Sequence, residues 1–296
     1  LGQLVTSFLR NDARPGLATA AVLTGGIFNV FGDWFCVFVL DLGVFGAGLA
    51  TATGAVISLA VMCSHFFSKK CTLHLVPVQK LFKKLGEIAV TGFSSFFVDV
   101  AMGILTVLFN RQIMKYLDSD ALAVYATVIN ISTFVQCCTY SVGQAAQPIL
   151  STNYGANNAA RIRQTLHLAL GTSMVFAAFW TGLSELFPQL YIHIFMRPSA
   201  EILAIAPAII RRYSVSFVLL PVNIFSTYYF QSILRPKDSF IVSIARGLLV
   251  SGLLIFALPA LFAPEAIWWA MPLTELVTSV YAAYAMRKSL TGLCTN

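Results

Sequence analysis

AVTGFSSFFVDVAMGILTVLFN, from Ala89 to Asn110, is an apolar run with one formal charge, Asp99, near its middle. As a helix it is long enough to cross a hydrocarbon core of about 30 Å. An ionised carboxylate at that depth costs about 2.5–3.5 kcal/mol on insertion scales. Such a group persists where it meets an ion, a proton or a substrate. Asp99 is therefore read as functional, and the rest of the chain as scaffold around it and a second intramembrane acid, Asp33.

The composition agrees with a membrane setting. Of 296 residues, 58% are hydrophobic and 10% charged, against about 25% charged in a soluble domain. Mean hydropathy is +0.79. The apolar runs are continuous, not alternating, which predicts a polytopic all-α protein and excludes a β-barrel. A net charge of +7 does not point to nucleic acid, because the basic residues cluster in short loops between spans. The six cysteines include no C-x-x-C pair. They read as small apolar residues of a reducing compartment, not as disulfides or a zinc site. No cofactor is expected.

Eight full spans are predicted, near 16–40, 44–67, 89–110, 121–160, 164–187, 202–232, 240–262 and 266–286. In the first, Asn29 and Asp33 lie one turn apart and present oxygens to one point. In the second, Gly46, Ala50, Gly54 and Ser58 recur every fourth residue, a stripe that lets a helix approach closely, with Thr51 beside it. Residues 69–87 carry five lysines with helically spaced apolar residues and read as an amphipathic cytoplasmic linker. The linker divides the chain into 1–68 and 88–296. Pro148 is expected to kink its span, and Pro207 and Pro221 to bend or break theirs. Basic residues fall mainly on one side, at Arg10, Arg14, the linker lysines, Arg161, Arg163, Arg235, Lys237, Arg246, Arg287 and Lys288. Arg111, Lys115, Arg197, Arg211 and Arg212 face the other side, Arg211 and Arg212 by snorkelling. The linker and the C-terminus are then cytoplasmic.

Ser7-Phe8-Leu9-Arg10 recurs as Ser232-Ile233-Leu234-Arg235. Each copy closes a helix and is followed by a basic loop and two spans. Two parallel halves are expected, the first carrying about four more spans ahead of Leu1.

The chain resembles the MATE family of multidrug and toxic compound extrusion transporters. Phe8-Leu9-Arg10-Asn11-Asp12 with Pro15 resembles the loop after the fourth family helix. Phe45-Gly46-Ala47-Gly48-Leu49-Ala50-Thr51 resembles the start of the sixth. Gly143-Gln144, Gln147-Pro148 and Asn153-Tyr154-Gly155-Ala156 resemble the end of the eighth. The resemblance implies two six-helix lobes and exchange of Na⁺ or H⁺ for an organic compound. It makes residues 1–68 the end of helix four with helices five and six, and 88–296 helices seven to twelve. It matches Asn29, Asp33 and Thr51 to a Na⁺ site and Asp99 to a coupling acid. A tenth-helix carboxylate has no counterpart, since nothing acidic lies between Glu201 and Asp238.

Gln144, Gln147, Asn130, Tyr140 and Glu275 are candidates for the substrate cavity. Phe93, Phe96, Phe97, Tyr228, Tyr229 and Phe230 join Tyr140 as candidate portal aromatics. The expected partners are the bilayer and a small organic, cationic or amphipathic substrate, for a monomer in the plasma membrane. A lipid-linked oligosaccharide flippase is the alternative, with Arg246 its one basic candidate for pyrophosphate. An intramembrane enzyme ranks lower: the four histidines show no H-E-x-x-H spacing, and no G-x-S-x-G occurs. A fragment that transports nothing is the remaining reading.

Overall fold

The structure is a computed structural model describing residues 1–68, 71–73, 77 and 80–294; the side chains of residues 91, 94, 95, 98, 99 and 292–294 fall outside that description. Every regular element among the described residues is helical. Six helical stretches are long and apolar enough to cross a membrane, so this is a multi-pass all-α protein. The other two expected spans fall on long helices, α4 (Leu81–Tyr116) and α12 (Ala270–Cys294). The chain forms two compact units, Leu1–Gln79 and Lys80–Asn296.

The first unit holds α1 (Gly2–Asn11), α2 (Pro15–Trp34) and α3 (Gly43–Cys63). A π-helical turn, Phe35–Val39, extends α2, and a 3₁₀ turn, Ser64–Phe67, follows α3. The small-residue stripe performs as its spacing suggested. A Cβ on Gly25 would lie 2.5 Å from the Gly54 carbonyl oxygen, and one on Gly54 2.6 Å from that of Gly25. A Cβ on Gly32 would lie 2.9 Å from that of Ala50. Backbone thus meets backbone along α2 and α3, a contact that membrane helices gain from small residues.

The second unit runs α4, α5 (Ser119–Gly155), α6 (Ala159–Leu186), α7 (Pro188–Phe195), α8 (Ala200–Ser214), α9 (Ser216–Ser232), α10 (Pro236–Ile244), α11 (Val250–Leu261) and α12. A π-helical turn, Ala245–Leu249, joins α10 to α11, and a 3₁₀ turn, Pro264–Trp269, precedes α12. Side chains cap three of these helices. Asp118 accepts from the Ala121 amide, Asn158 from that of Arg161 and Ser199 from that of Ile202. Helix α9 is the pivot of the packing, lying against α5, α6, α10 and α12. One core gathers Phe109 and Tyr125, stacked at 4.9 Å, with Tyr213, Phe217 and Trp268. Another gathers Leu150, Leu166, Phe225, Tyr229, Phe230 and Val242.

Several expectations change. The 202–232 span is broken, but at Val215, between its two prolines, not at either of them. Residues 81–87 do not form a separate surface helix. They are the first turns of α4, and 69, 70, 74–76, 78 and 79 lie outside the described residues. Arg246 is not a loop residue. It is 8% exposed, inside the π turn. Arg211 and Arg212 bond to protein: Arg211 Nε donates to the Glu185 carbonyl at 2.9 Å, and Arg212 pairs with Glu265.

Near both copies of the four matching letters the structure stops a helix in the same way, in a register one turn away from the letters. What recurs is a way of stopping a helix. Ala13 (φ +54°) and Leu234 (φ +56°) sit in the left-handed region. After each, an arginine amide reaches back five residues, Arg14 to Leu9 at 2.9 Å and Arg235 to Phe230 at 2.8 Å. Pro15 and Pro236 then open the next helix, where a missing N–H costs nothing. Asn157 (φ +52°), with the Asn158 amide bonded to the Asn153 carbonyl, repeats the stop between α5 and α6.

Candidate functional site

Two polar clusters occupy otherwise apolar helices, one in each unit. In the first unit, the Gly25–Gly54 contact brings α2 and α3 close enough for side chains beside it to meet. Asn29 Nδ2 donates to Thr51 Oγ1 at 3.1 Å, and that hydroxyl donates to the Ala47 carbonyl at 3.0 Å. A Cβ on Gly54 would lie 3.1 Å from the Asn29 Cβ, so the glycine also fixes where Asn29 sits. One turn on, Asp33 Oδ1 is buried with no hydrogen-bond partner. A buried acceptor without a donor is costly in an apolar medium. Here it lies one turn from Asn29 on α2, across from Thr51 on α3, so two further side-chain oxygens stand near it. Hard oxygens of this kind suit a cation or a proton.

In the second unit, Glu275 on α12 is fully buried, and Arg246 Nε donates to its Oε1 at 2.7 Å. Asn223 Nδ2 donates to Oε2 of the same carboxylate and to the Glu275 backbone carbonyl at 3.0 Å. The Asn223 Oδ1 is buried and unpartnered. Three helical segments therefore converge on one carboxylate: α9, the π turn after α10, and α12. Gly247, next to Arg246, lets the π turn press on α4, where its absent Cβ would sit 2.7 Å from that of Ala101. A cavity of about 30 Å³ borders the cluster, lined by Met102, Tyr140, Asn223, Thr227, Ser243 and Arg246 among others. That is far below the roughly 300–1,000 Å³ of an organic-ligand pocket. The cluster is closed around its ion pair in this conformation.

The candidates from the sequence divide accordingly. Asn29 and Thr51 are in contact, with Asp33 one turn away. Glu275 and Tyr140 belong to the second cluster, Tyr140 edge-on to Tyr228 with ring centroids 6.2 Å apart. Gln144 and Asn130 lie on exposed faces of α5, and Gln147 is half-buried. The Asp99 side chain falls outside the described residues. Tyr229 and Phe230 are fully buried packing residues, not portal candidates. Phe93 and Phe97 each lie 5.6 Å, ring to ring, from Phe240. Sequence reasoning missed Asn223, and missed that Arg246 is the partner of Glu275. The available signal was one acid and one base in consecutive apolar runs, which at that depth must find each other.

Comparison with known proteins points the same way. The MatE family model matches residues 94–256, more than half of the chain. Multidrug export protein MepA of Staphylococcus saprophyticus is 23% identical over 293 residues, covering 97% of this chain and 64% of its own length. MepA of Staphylococcus aureus is 21% identical with the same coverage. The chain thus spans about 64% of the length of these curated relatives. Among solved structures, a multidrug resistance MATE family transporter of the MOP superfamily in an outward-facing conformation superposes with a TM-score of 0.91 at 19% identity. It covers all of this chain and 67% of its own. A MOP superfamily transporter from Pyrococcus furiosus, described as having a binding pocket of reverse polarity, gives 0.90 at 18%, covering 99% of this chain and 66% of its own. The structural likeness establishes the shared fold, and the family match establishes membership: the chain belongs to the MatE family.

Proposed function

We propose that this chain is the larger part of a cation-coupled antiporter that exports organic, cationic or amphipathic compounds across the plasma membrane by alternating access. It is a secondary transporter and not an enzyme. Residues 1–68 supply the end of a first lobe, 69–87 a cytoplasmic connection, and 88–296 a second lobe, with the C-terminus in the cytoplasm. The protein works as a monomer. The export assignment leans on the family and on the MepA relatives, which are named multidrug export proteins.

The observation that carries the coupling is the orphaned Asp33 oxygen beside the Asn29–Thr51 bond. A carboxylate there can hold Na⁺ or a proton in one conformation and release it in another. Asp99, at mid-span in α4, is the second coupling candidate. The flippase alternative needs a basic residue available to a pyrophosphate. Arg246, its one candidate, is bonded to Glu275, which favours the exporter.

Dye efflux from proteoliposomes holding the whole protein, driven by a Na⁺ gradient or a H⁺ gradient, tests the reading. Asp33→Asn keeps size and hydrogen bonding but cannot carry the charge. Near-complete loss of driven efflux in Asp33→Asn or Asp99→Asn is expected, with insertion unchanged. Wild-type efflux in both variants under both gradients would discard the coupling assignment.

A further inference from the structure

The first unit holds a third cluster, apart from the two polar clusters above, where three chain segments meet beyond the helix ends. Asp12 is the residue that caps the C-terminus of α1. His65 lies in the 3₁₀ turn after α3, and Cys71 lies in the segment 71–73. One ligand atom from each, the Asp12 carboxylate oxygen, the His65 ring nitrogen and the Cys71 sulfur, lie within 4.8 Å of one another. The Asp12 and His65 side chains are each 2% exposed, with Oδ2 and Nε2 at 2.6 Å.

We infer that Asp12, His65 and Cys71 form a binding site for a borderline divalent transition-metal ion, of which Zn²⁺ is the type. Thiolate, imidazole and carboxylate together are the donor set such an ion prefers, while Mg²⁺ and Ca²⁺ require oxygens alone. Three protein ligands leave one position of a tetrahedron open. Bonds of about 2.0 Å to nitrogen and oxygen would set those two atoms about 3.3 Å apart. The Asp12–His65 pair, now at 2.6 Å, would then open by about 0.7 Å, and the sulfur, now within 4.8 Å of both atoms, would settle about 3.5 Å from each.

The surroundings suit the role. The Thr72 amide donates to Asp12 Oδ2 at 3.2 Å, and the Thr72 hydroxyl bonds to Oδ1. Those two bonds orient the carboxylate, as outer partners do at metal centres. The cysteine count could not disclose the site, because it uses a single thiol and takes one ligand, Asp12, from a distant segment. An ion there would tie the segment leaving the first unit to the ends of α1 and α3.

The purified full chain in detergent is titrated with Zn²⁺ against a chromophoric chelator, and separately with Co²⁺ while the absorption spectrum is recorded. One equivalent of Zn²⁺ is expected, weakened at least about tenfold in His65→Ala and in Cys71→Ser. Co²⁺ should add a thiolate-to-metal charge-transfer band that Cys71→Ser removes. The spectrum of the unaltered protein needs no variant to fold, so it stands on its own. Absence of that band, or Zn²⁺ binding indifferent to both substitutions, would overturn the assignment.

Discussion

The spacing that carries Pro15 to Pro236 also carries Gly25 to Arg246 and Gly54 to Glu275. The same two places on the same helical hairpin are therefore filled in opposite ways. In the first unit two glycines bring backbone onto backbone. In the second, an arginine and a glutamate, nearly or fully buried, meet at 2.7 Å. Both solutions hold two apolar helices together where the hydrophobic effect gives no preference for one partner. They differ in what they leave over. The glycine contact consumes no polar group, so Asn29, Thr51 and Asp33 beside it keep chemistry available. The ion pair uses its charges on each other and closes the space around them.

That contrast can be broken most sharply at Glu275. Glu275→Gln leaves Arg246 as an uncompensated buried charge, and removing one partner of a buried pair costs about 3–5 kcal/mol. Chemical denaturation in detergent should register that loss, and Arg246→Gln should register a comparable one. A loss below about 1 kcal/mol in both would mean the pair does not hold the hairpin. In the first unit the equivalent probe adds volume. Gly54→Val places atoms where only 2.6 Å separates a Cβ from the Gly25 carbonyl, and overpacking costs about 1–3 kcal/mol. It should also disturb Asn29 and so lower driven efflux. Normal stability and efflux together would show that α2 and α3 have room to part. The smallest effect belongs to Thr51→Val, which deletes one interhelical bond worth about 0.6 kcal/mol. A destabilisation of several kcal/mol there would make the first hairpin depend on polar bonds after all.

How far the sequence disclosed this arrangement depended on how local each signal was. The stripe Gly46, Ala50, Gly54 and Ser58 was readable because small size at a four-residue period has one use in a membrane helix. Glu275 was readable because any acid in an apolar run asks for an explanation. Its bonds to Arg246 and Asn223 were not, since pairing across helices depends on which faces turn together. A repeat was suggested by four matching letters, yet those letters sit one turn out of register. The feature that recurs is a backbone conformation, and residues as different as Ala13, Asn157 and Leu234 adopt it. The break at Val215 escaped notice for a related reason. Prolines at 207 and 221 were tolerated within α8 and α9, and the helical pattern is interrupted only at Val215 between them. Asp12, His65 and Cys71 stayed hidden because no spacing rule links Asp12 to a pair that lies 53 and more residues further on.

Each hairpin has a π-helical turn, Phe35–Val39 in the first and Ala245–Leu249 in the second, but only the second contains one of the two matched positions, Arg246. Such a turn stores one residue more than an α-helix of equal rise requires. That surplus is slack. Shifted along the helix by a turn, it would rotate the stretch it crosses about the helix axis and swing Arg246 away from Glu275, while every segment stays helical. The buried charges are thereby fastened to the one part of their hairpin that can be wound and unwound.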